Sequence, residues 1–341
     1  MANRSPFAEK LPRDLYVEVT NRCNSRCQTC VRTFEQLEPL RDLRLPEFRA
    51  IVDQFDTLDR LVLHGIGEPL LNAELIEMIH YVQVRQPSAR VLFNSNAILL
   101  DENWQKALIE VGLDEYRVSL DAATPATYAR IRGVDAFETV VRNVRQFARV
   151  LRGIERPRLS LWCMAMRENL PELPALLDLA AEIGVPEVYV QRLVLIDHGL
   201  AQAEQSLYGQ LQAQEEAALT QAAERASAHG LAFRASGLTS PEKSLRGQTG
   251  EPVSFASIQD RPYSACYRLW TTTYITANGN VLPCCISPFS TTDYAGLILG
   301  NVFDSSFAEI WNGEKYTARR AALHTAHPLH PCEFCGVNWT L

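Results

Sequence analysis

Three cysteines fall within eight residues in the stretch 20–30, which reads Thr-Asn-Arg-Cys-Asn-Ser-Arg-Cys-Gln-Thr-Cys. An apolar-alternating run over 15–19 precedes them, so Cys23, Cys27 and Cys30 belong to a loop at the C-terminal end of an expected strand. Free cysteines seldom gather on a polar loop merely to pack. Thiolates at this spacing can grip three corners of one iron–sulfur cube and leave its fourth iron open to a small molecule. Zinc is the competing reading, although zinc sites more often arrive as paired C-x2-C knuckles.

Around this loop, strand-like and helix-like runs alternate. Strands are expected at 15–20, 60–64, 90–94, 115–120, 158–166 and 187–193, with helices at 46–55, 73–86, 102–111, 136–151 and 170–183. Pro46 suits a first helical turn, and Gly112 and Gly184 stand where helices should stop. Regular βα alternation implies an α/β fold with a parallel sheet and right-handed crossovers. Six units are too few to close an eight-stranded barrel, so a partial barrel, open on one side, is expected over 1–195. Residues 196–262 read as a helical linker, with a solvated helix over 202–229 and a linker or mobile loop over 236–261; 263–341 form a third segment.

Catalytic groups of such barrels collect at strand C-termini. After the second strand comes His-Gly-Ile-Gly-Glu-Pro over 64–69; Gly65 and Gly67 let the backbone approach a ligand, and Glu68 and Pro69 follow. Asn94, Ser95 and Asn96 end the third strand, and Ser119 and Asp121 share one face at the end of the fourth. Each could instead cap a helix or fill a turn, as could Asn169 before Leu170. Alternation turns the polar set of each strand inward: Glu18, His64, Asn94, Arg117 and one of Gln191 or Arg192. They form either a buried Glu18–Arg117 ion pair or a cavity for a polar substrate.

The net charge of −7 gives no argument for nucleic acid or an anionic membrane, and no apolar run nears the ~18 residues of a span. Nine cysteines without a secretion signal point to reduced, metal-binding thiols in the cytoplasm.

The C-x3-C-x2-C loop and the 65–69 turn together resemble the radical S-adenosylmethionine (radical SAM) superfamily. The resemblance implies a (βα)6 barrel and a four-iron–four-sulfur cluster whose open iron binds S-adenosylmethionine. Reductive cleavage of that cofactor gives a 5′-deoxyadenosyl radical in the family. It also implies that the 65–69 turn meets the cofactor's amino group. Asn94, Asn96 and Gln191 are then further cofactor contacts, with Ser119 and Asp121 as ribose candidates. Thr29 stands where the family usually has an aromatic residue.

A second cysteine set lies near the C-terminus. Asn278-Gly279 signals a two-residue hairpin turn, whose strands bring Cys266 and Cys284 together, and Cys332 and Cys335 form a late C-x2-C knuckle. Spacing alone leaves zinc and a second iron–sulfur cluster open. Cys266, Gly279 and Cys284, then Gly300-Asn301 and Trp311-Asn312, resemble the SPASM/twitch extension of radical SAM enzymes. That resemblance implies one auxiliary four-iron cluster ligated by Cys266, Cys284, Cys332 and Cys335. Cys285 and Cys163 remain, read as ordinary hairpin and strand residues or as hydrogen-atom donors.

The expected function is hydrogen abstraction from a small polar, sugar- or nucleoside-derived metabolite, with a flavodoxin- or ferredoxin-type reductant. Dehydrogenation would use the auxiliary cluster as electron acceptor, epimerisation Cys285 as donor, and decarboxylation Arg117 or Arg192 as carboxylate holder; Glu18 completes the catalytic candidates. Peptide-modifying relatives usually carry a leader-binding domain, for which 1–14 leave little room. A peptide or protein maturase is the first alternative and a non-catalytic iron–sulfur carrier the second.

Overall fold

The computed structural model describes residues 4–193, 207, 211–235, 240–246, 266–290, 293–325 and 327–332. The strands are β1 (Asp14–Val17), β2 (Arg60–Val62), β3 (Arg90–Ser95), β4 (Glu115–Ser119), β5 (Arg158–Ala165), β6 (Glu187–Arg192), β7 (Ala232–Ala235), β8 (Thr272–Ile275), β9 (Asn280–Leu282) and β10 (Gly300–Asn301). They form one open sheet in the order β10-β9-β8-β1-β2-β3-β4-β5-β6-β7. From β8 to β7 every pairing is parallel; β9 and β10 add antiparallel at one end.

Helices cover the outer face because their apolar residues recur with helical period. In Phe137–Val150, Phe137, Val140, Val141, Val144, Phe147 and Ala148 are buried. In β4 and β6 the inner face carries half-buried polar and aromatic residues; in β6, Tyr189 and Gln191 alternate with buried Val188, Val190 and Arg192.

Beyond the six expected strands, two more extend the parallel part of the sheet, one at each end. Strand β7, within the stretch read as linker, extends the parallel sheet beyond β6. Strand β8 adds in parallel to β1, with Leu15 opposite Thr273 and Tyr16 opposite Tyr274. The helix expected from 202 is seen over Ala213–His229, and part of the 236–261 loop is helical, over Pro241–Arg246. The hairpin turn also differs from expectation. Thr276 pairs with Asn280 across three residues, 277–279, and only Gly279 takes a positive φ, +82°. The turn is thus a type with one left-handed residue, which glycine supplies without strain. A Cβ there would lie 2.5 Å from the Phe303 ring.

The C-terminal helices are fastened by Arg320, which is fully buried. It donates to the carbonyls of Leu269 (2.9 Å), Trp311 (2.8 Å) and Pro6 (3.1 Å), and stacks 4.2 Å over Trp311 and 4.7 Å over Tyr316. Arg320→Ala would orphan those carbonyls, each a cost of about 1–3 kcal/mol. We expect a loss of roughly 3 kcal/mol or more in anaerobic thermal or denaturant unfolding; a loss under about 0.5 kcal/mol would contradict this role.

Candidate active site

The cysteine loop is suspended from three elements. Asn21 Nδ2 donates to the Pro39 carbonyl and Arg32 Nη2 to that of Cys23 (2.6 Å), while the amides of Arg26 and Gln28 bond to carbonyls at the end of helix Pro125–Arg132. Asn96 Nδ2 donates to Asn24 Oδ1 (2.7 Å) and Ser25 Oγ (3.1 Å) and points at Cys23 Sγ from 4.0 Å. Arg132 Nη1 approaches Cys27 Sγ at 3.9 Å. The three thiols are half-buried. Burial pushes Cys23 and Cys30 up, Cys30 to about 12, so ionised sulfur here calls for a strongly positive partner. Among the described residues no three His, Cys, Asp or Glu side chains close around a single metal ion. A cubane spreads its sulfur ligands wider than a lone ion does, and three half-buried thiols on one braced loop fit it.

The 65–69 turn is fixed by its own protein contacts. A Cβ on Gly67 would lie 2.1 Å from the Thr20 carbonyl oxygen and 2.7 Å from that of Arg22, so glycine is required here by the cysteine loop itself, not only by a ligand. Both oxygens of Glu68 are engaged: Oε1 accepts from Ser95 Oγ (2.7 Å) and the Leu70 amide (3.2 Å), Oε2 from the Asn96 amide (2.7 Å). Glu68 thereby ties the turn to the end of β3, with Pro69 opening the short helix Pro69–Leu71.

Other candidates divide. Asp121 is buried and spent on structure: Oδ2 pairs with Arg132 at 2.7 Å and Oδ1 accepts the Met164 amide. Asn169 clamps the Asp121 and Met164 carbonyls and does not cap the helix. The lumen receives Asn94, hydrogen-bonded to His64 Nδ1 at 3.1 Å, together with Arg117, Ser119 and Gln191. Arg192 faces the opposite side, where it donates to the Ser244 carbonyl, and is withdrawn as a substrate cation. Cys163 is buried in the core on the outer face of β5.

The expected Glu18–Arg117 pair is not formed. Arg117 bonds to Glu115 at 2.8 Å, two residues back on the same strand face. Glu18 accepts from Tyr274 Oη (2.7 Å), the Ile66 amide (2.9 Å) and the Ala277 amide (3.3 Å). Periodicity along β1 could not see this, because the donors come from β8, from its turn and from the 65–69 turn. Beside it lies a narrow recess, too tight for water, lined by Glu18, Glu38, Tyr274 and Tyr294 among others. Glu38, missed from the sequence, accepts from Tyr294 Oη, Thr276 Oγ1 and the side chains of Asn278 and Asn280.

At the second cysteine set, Cys266, Cys284 and Cys332 are half-buried and within electrostatic reach of one another; Cys335 lies outside the described residues. Burial raises Cys332 to about 12. Cys285 Sγ contacts Arg268 Nη1 at 3.5 Å and the Tyr16 hydroxyl, which also accepts from Arg60 Nη2 at 3.1 Å.

Burial raises Glu18 to about 7 despite its three hydrogen bonds. The folded protein thus holds this proton more tightly than the unfolded chain, so the associated stability is present at acid pH and lost as pH rises from about 4.5 to 7, on the order of 3 kcal/mol. Glu18→Gln removes the ionisation. Relative to wild type, its melting temperature should rise progressively between pH 5 and 8; a pH-independent difference would exclude a buried titration at Glu18.

Comparison with known proteins agrees with this geometry. The radical SAM superfamily model matches residues 17–194, over half the chain, and the SPASM model, an iron-sulfur cluster-binding domain, matches 266–336. PqqA peptide cyclase of Gluconobacter oxydans (strain 621H) is 26% identical over 332 residues, covering 96% of this chain and 84% of that protein. AdoMet-dependent heme synthase of Methanosarcina barkeri (strain Fusaro / DSM 804) is 25% identical, covering 95% and 89%. Among solved structures, Streptococcus suis SuiB bound to precursor peptide SuiA superposes with a TM-score of 0.62 at 14% identity, over 98% of this chain and 71% of that one, a likeness of fold. Among the described residues no helix is long and apolar enough to cross a membrane. The chain belongs to the radical SAM superfamily and is an enzyme of that chemistry, using a four-iron–four-sulfur cluster with S-adenosylmethionine and bearing a SPASM domain for auxiliary iron–sulfur binding.

Proposed function

We propose that this enzyme modifies a peptide or protein substrate. The observation that carries the reading is the match to a peptide cyclase along nearly the whole chain. Support for a sugar- or nucleoside-derived metabolite is weaker, since the matches to GTP 3',8-cyclases cover only about half of the chain. A second reading, a small-molecule substrate of heme metabolism, is favoured by the equally long match to a heme synthase.

In this reading Cys23, Cys27 and Cys30 hold the first cluster, and Cys266, Cys284, Cys332 and Cys335 an auxiliary one. When bound, the cluster and S-adenosylmethionine supply one-electron chemistry that ends in removal of a hydrogen atom from substrate. The chain's own part is placement. Asn96 and Arg132 steady the thiols from the rim; Glu68 fixes the turn that bounds the cofactor; Asn94, Ser119 and Gln191 offer polar contacts from the lumen. Gly67 keeps the turn against the cysteine loop. Cys285, in contact with the Tyr16 hydroxyl, is the hydrogen-atom donor in this reading. Electrons come from a flavodoxin- or ferredoxin-type protein.

The test is anaerobic reconstitution with dithionite and a count of 5′-deoxyadenosine formed with precursor-type peptides, with sugars and nucleosides, and with porphyrins. Peptides should stimulate turnover about tenfold or more and gain a mass change of their own. Stimulation by sugars or porphyrins but not peptides would overturn the reading. A Cys23/Cys27/Cys30→Ala variant should lose about four of about eight irons together with all deoxyadenosine.

A further inference from the structure

We infer that Arg117, with Arg60 behind it, forms a carboxylate-binding subsite on the lumen floor, so that the substrate enters with an acidic group foremost. This deepens the peptide reading and rests on it, in that the acidic group would be an Asp, Glu or C-terminal carboxylate.

Register sets the depth. Arg117 pairs with Asn94 on β3 and Ser160 on β5, one pleat below the row of Ser119, Trp162 and Tyr189. That row lies next to the rim that carries Asn96 and the cysteine loop. A substrate reaching past the rim meets Arg117 next.

The guanidinium carbon lies 4.2 Å from the centre of the Trp162 ring, which stacks in turn on Tyr189 at 4.0 Å between centroids and 16° between planes. The two rings wall one side and hold the planar cation in place. Its Nη2 is used by Glu115, while its Nε is buried and has no partner among the described residues; the same holds for Nε of Arg60. Arg60 lies against Tyr16, donating to its hydroxyl at 3.1 Å and to Asp14 at 3.0 Å.

Charge is unbalanced in the same place. Among the described residues, Glu115 faces Arg117 at 2.8 Å and Arg90 at 3.5 Å, and Asp14 faces Arg60, with Arg268 also near Arg60, so these guanidinium groups outnumber the two carboxylates. His64 does not offset this: burial, and then the nearby Arg117, hold it down at about 4, so it is neutral near pH 7. A half-buried guanidinium whose one hydrogen bond among the described residues goes to Glu115 is completed, in a low-dielectric lumen, by a carboxylate. A neutral ligand would leave the excess charge in place.

The test uses the reconstituted enzyme and a defined pair of probes: glutarate and its neutral diamide, glutaramide, at 50 mM or so and matched ionic strength. Glutarate should raise the melting temperature about 2–4 °C above glutaramide. Arg117→Gln should abolish that difference. Glu115→Gln, which removes the internal competitor, should enlarge it, a gain that a purely structural role for the pair would not produce. Equal responses to the two probes in wild type, a difference that survives in Arg117→Gln, or a smaller one in Glu115→Gln would each overturn the inference. If Arg117→Gln fails to fold, Arg117→Lys and the Glu115→Gln arm decide. A glutarate response without peptide turnover would remove the peptide reading and keep the subsite; turnover without the response would do the reverse.

Discussion

The parallel pairing of β1 with β8 is the constraint on which the rest of the molecule depends. It joins two segments about 250 residues apart in the chain, and it places the C-terminal hairpin directly beside the strand that launches the first cysteine loop. Glu18 marks the seam. Its carboxyl gathers donors from β8, from the turn after β8 and from the 65–69 turn, so one buried group sets the spacing of three loops. Glu38 repeats the device a few ångströms outward, taking four neutral donors from the hairpin and its sequel. Neither acid has a cationic partner among these contacts. Hydrogen bonds alone repay the desolvation in part, which is why Glu18 keeps its proton so far up the pH scale.

Buried amides do the same work around the sheet's C-terminal rim. Asn72 bridges the carbonyls of Val19 and Leu43, Asn96 joins the end of β3 to the cysteine loop, and Asn169 joins the end of β5 to Asp121. A side chain with both donor and acceptor can satisfy irregular backbone that no ladder reaches. The rim is therefore stiff where loops would otherwise be loose, which suits a site whose function is placement.

Much of this was legible from residue order. The six expected strands stand within a few residues of β1 to β6, because period-two alternation and glycine stops are local signals. The inward-facing set was right for Glu18, Asn94 and Arg117, and the face of Gln191 followed from the same alternation. What stayed hidden depended on partners distant in sequence. Strand β7 is four residues long, too short for periodicity to stand out. The Glu18–Tyr274 contact spans 256 residues, and Glu115, close by on the same strand, outcompeted Glu18 for Arg117. Gly67 could be read as a ligand-facing glycine, but that its space is filled by the Thr20 carbonyl needed coordinates. Asn169 and Asp121 show the general case: their residue types announce a polar role, and only the fold says which groups they serve.

Because β8 continues the hydrogen-bonding ladder of β1, the C-terminal segment is not an accessory hung on a finished barrel. Cutting the chain ahead of Cys266 would bare one full edge of β1, a row of unpaired amides and carbonyls flanked by Leu15 and Val17, and such edges recruit other chains. It would also strand the Glu18 carboxyl without Tyr274. The two cysteine sets are joined into a single mechanical piece, and any attempt to exchange or graft the C-terminal module has to carry an interior strand with it.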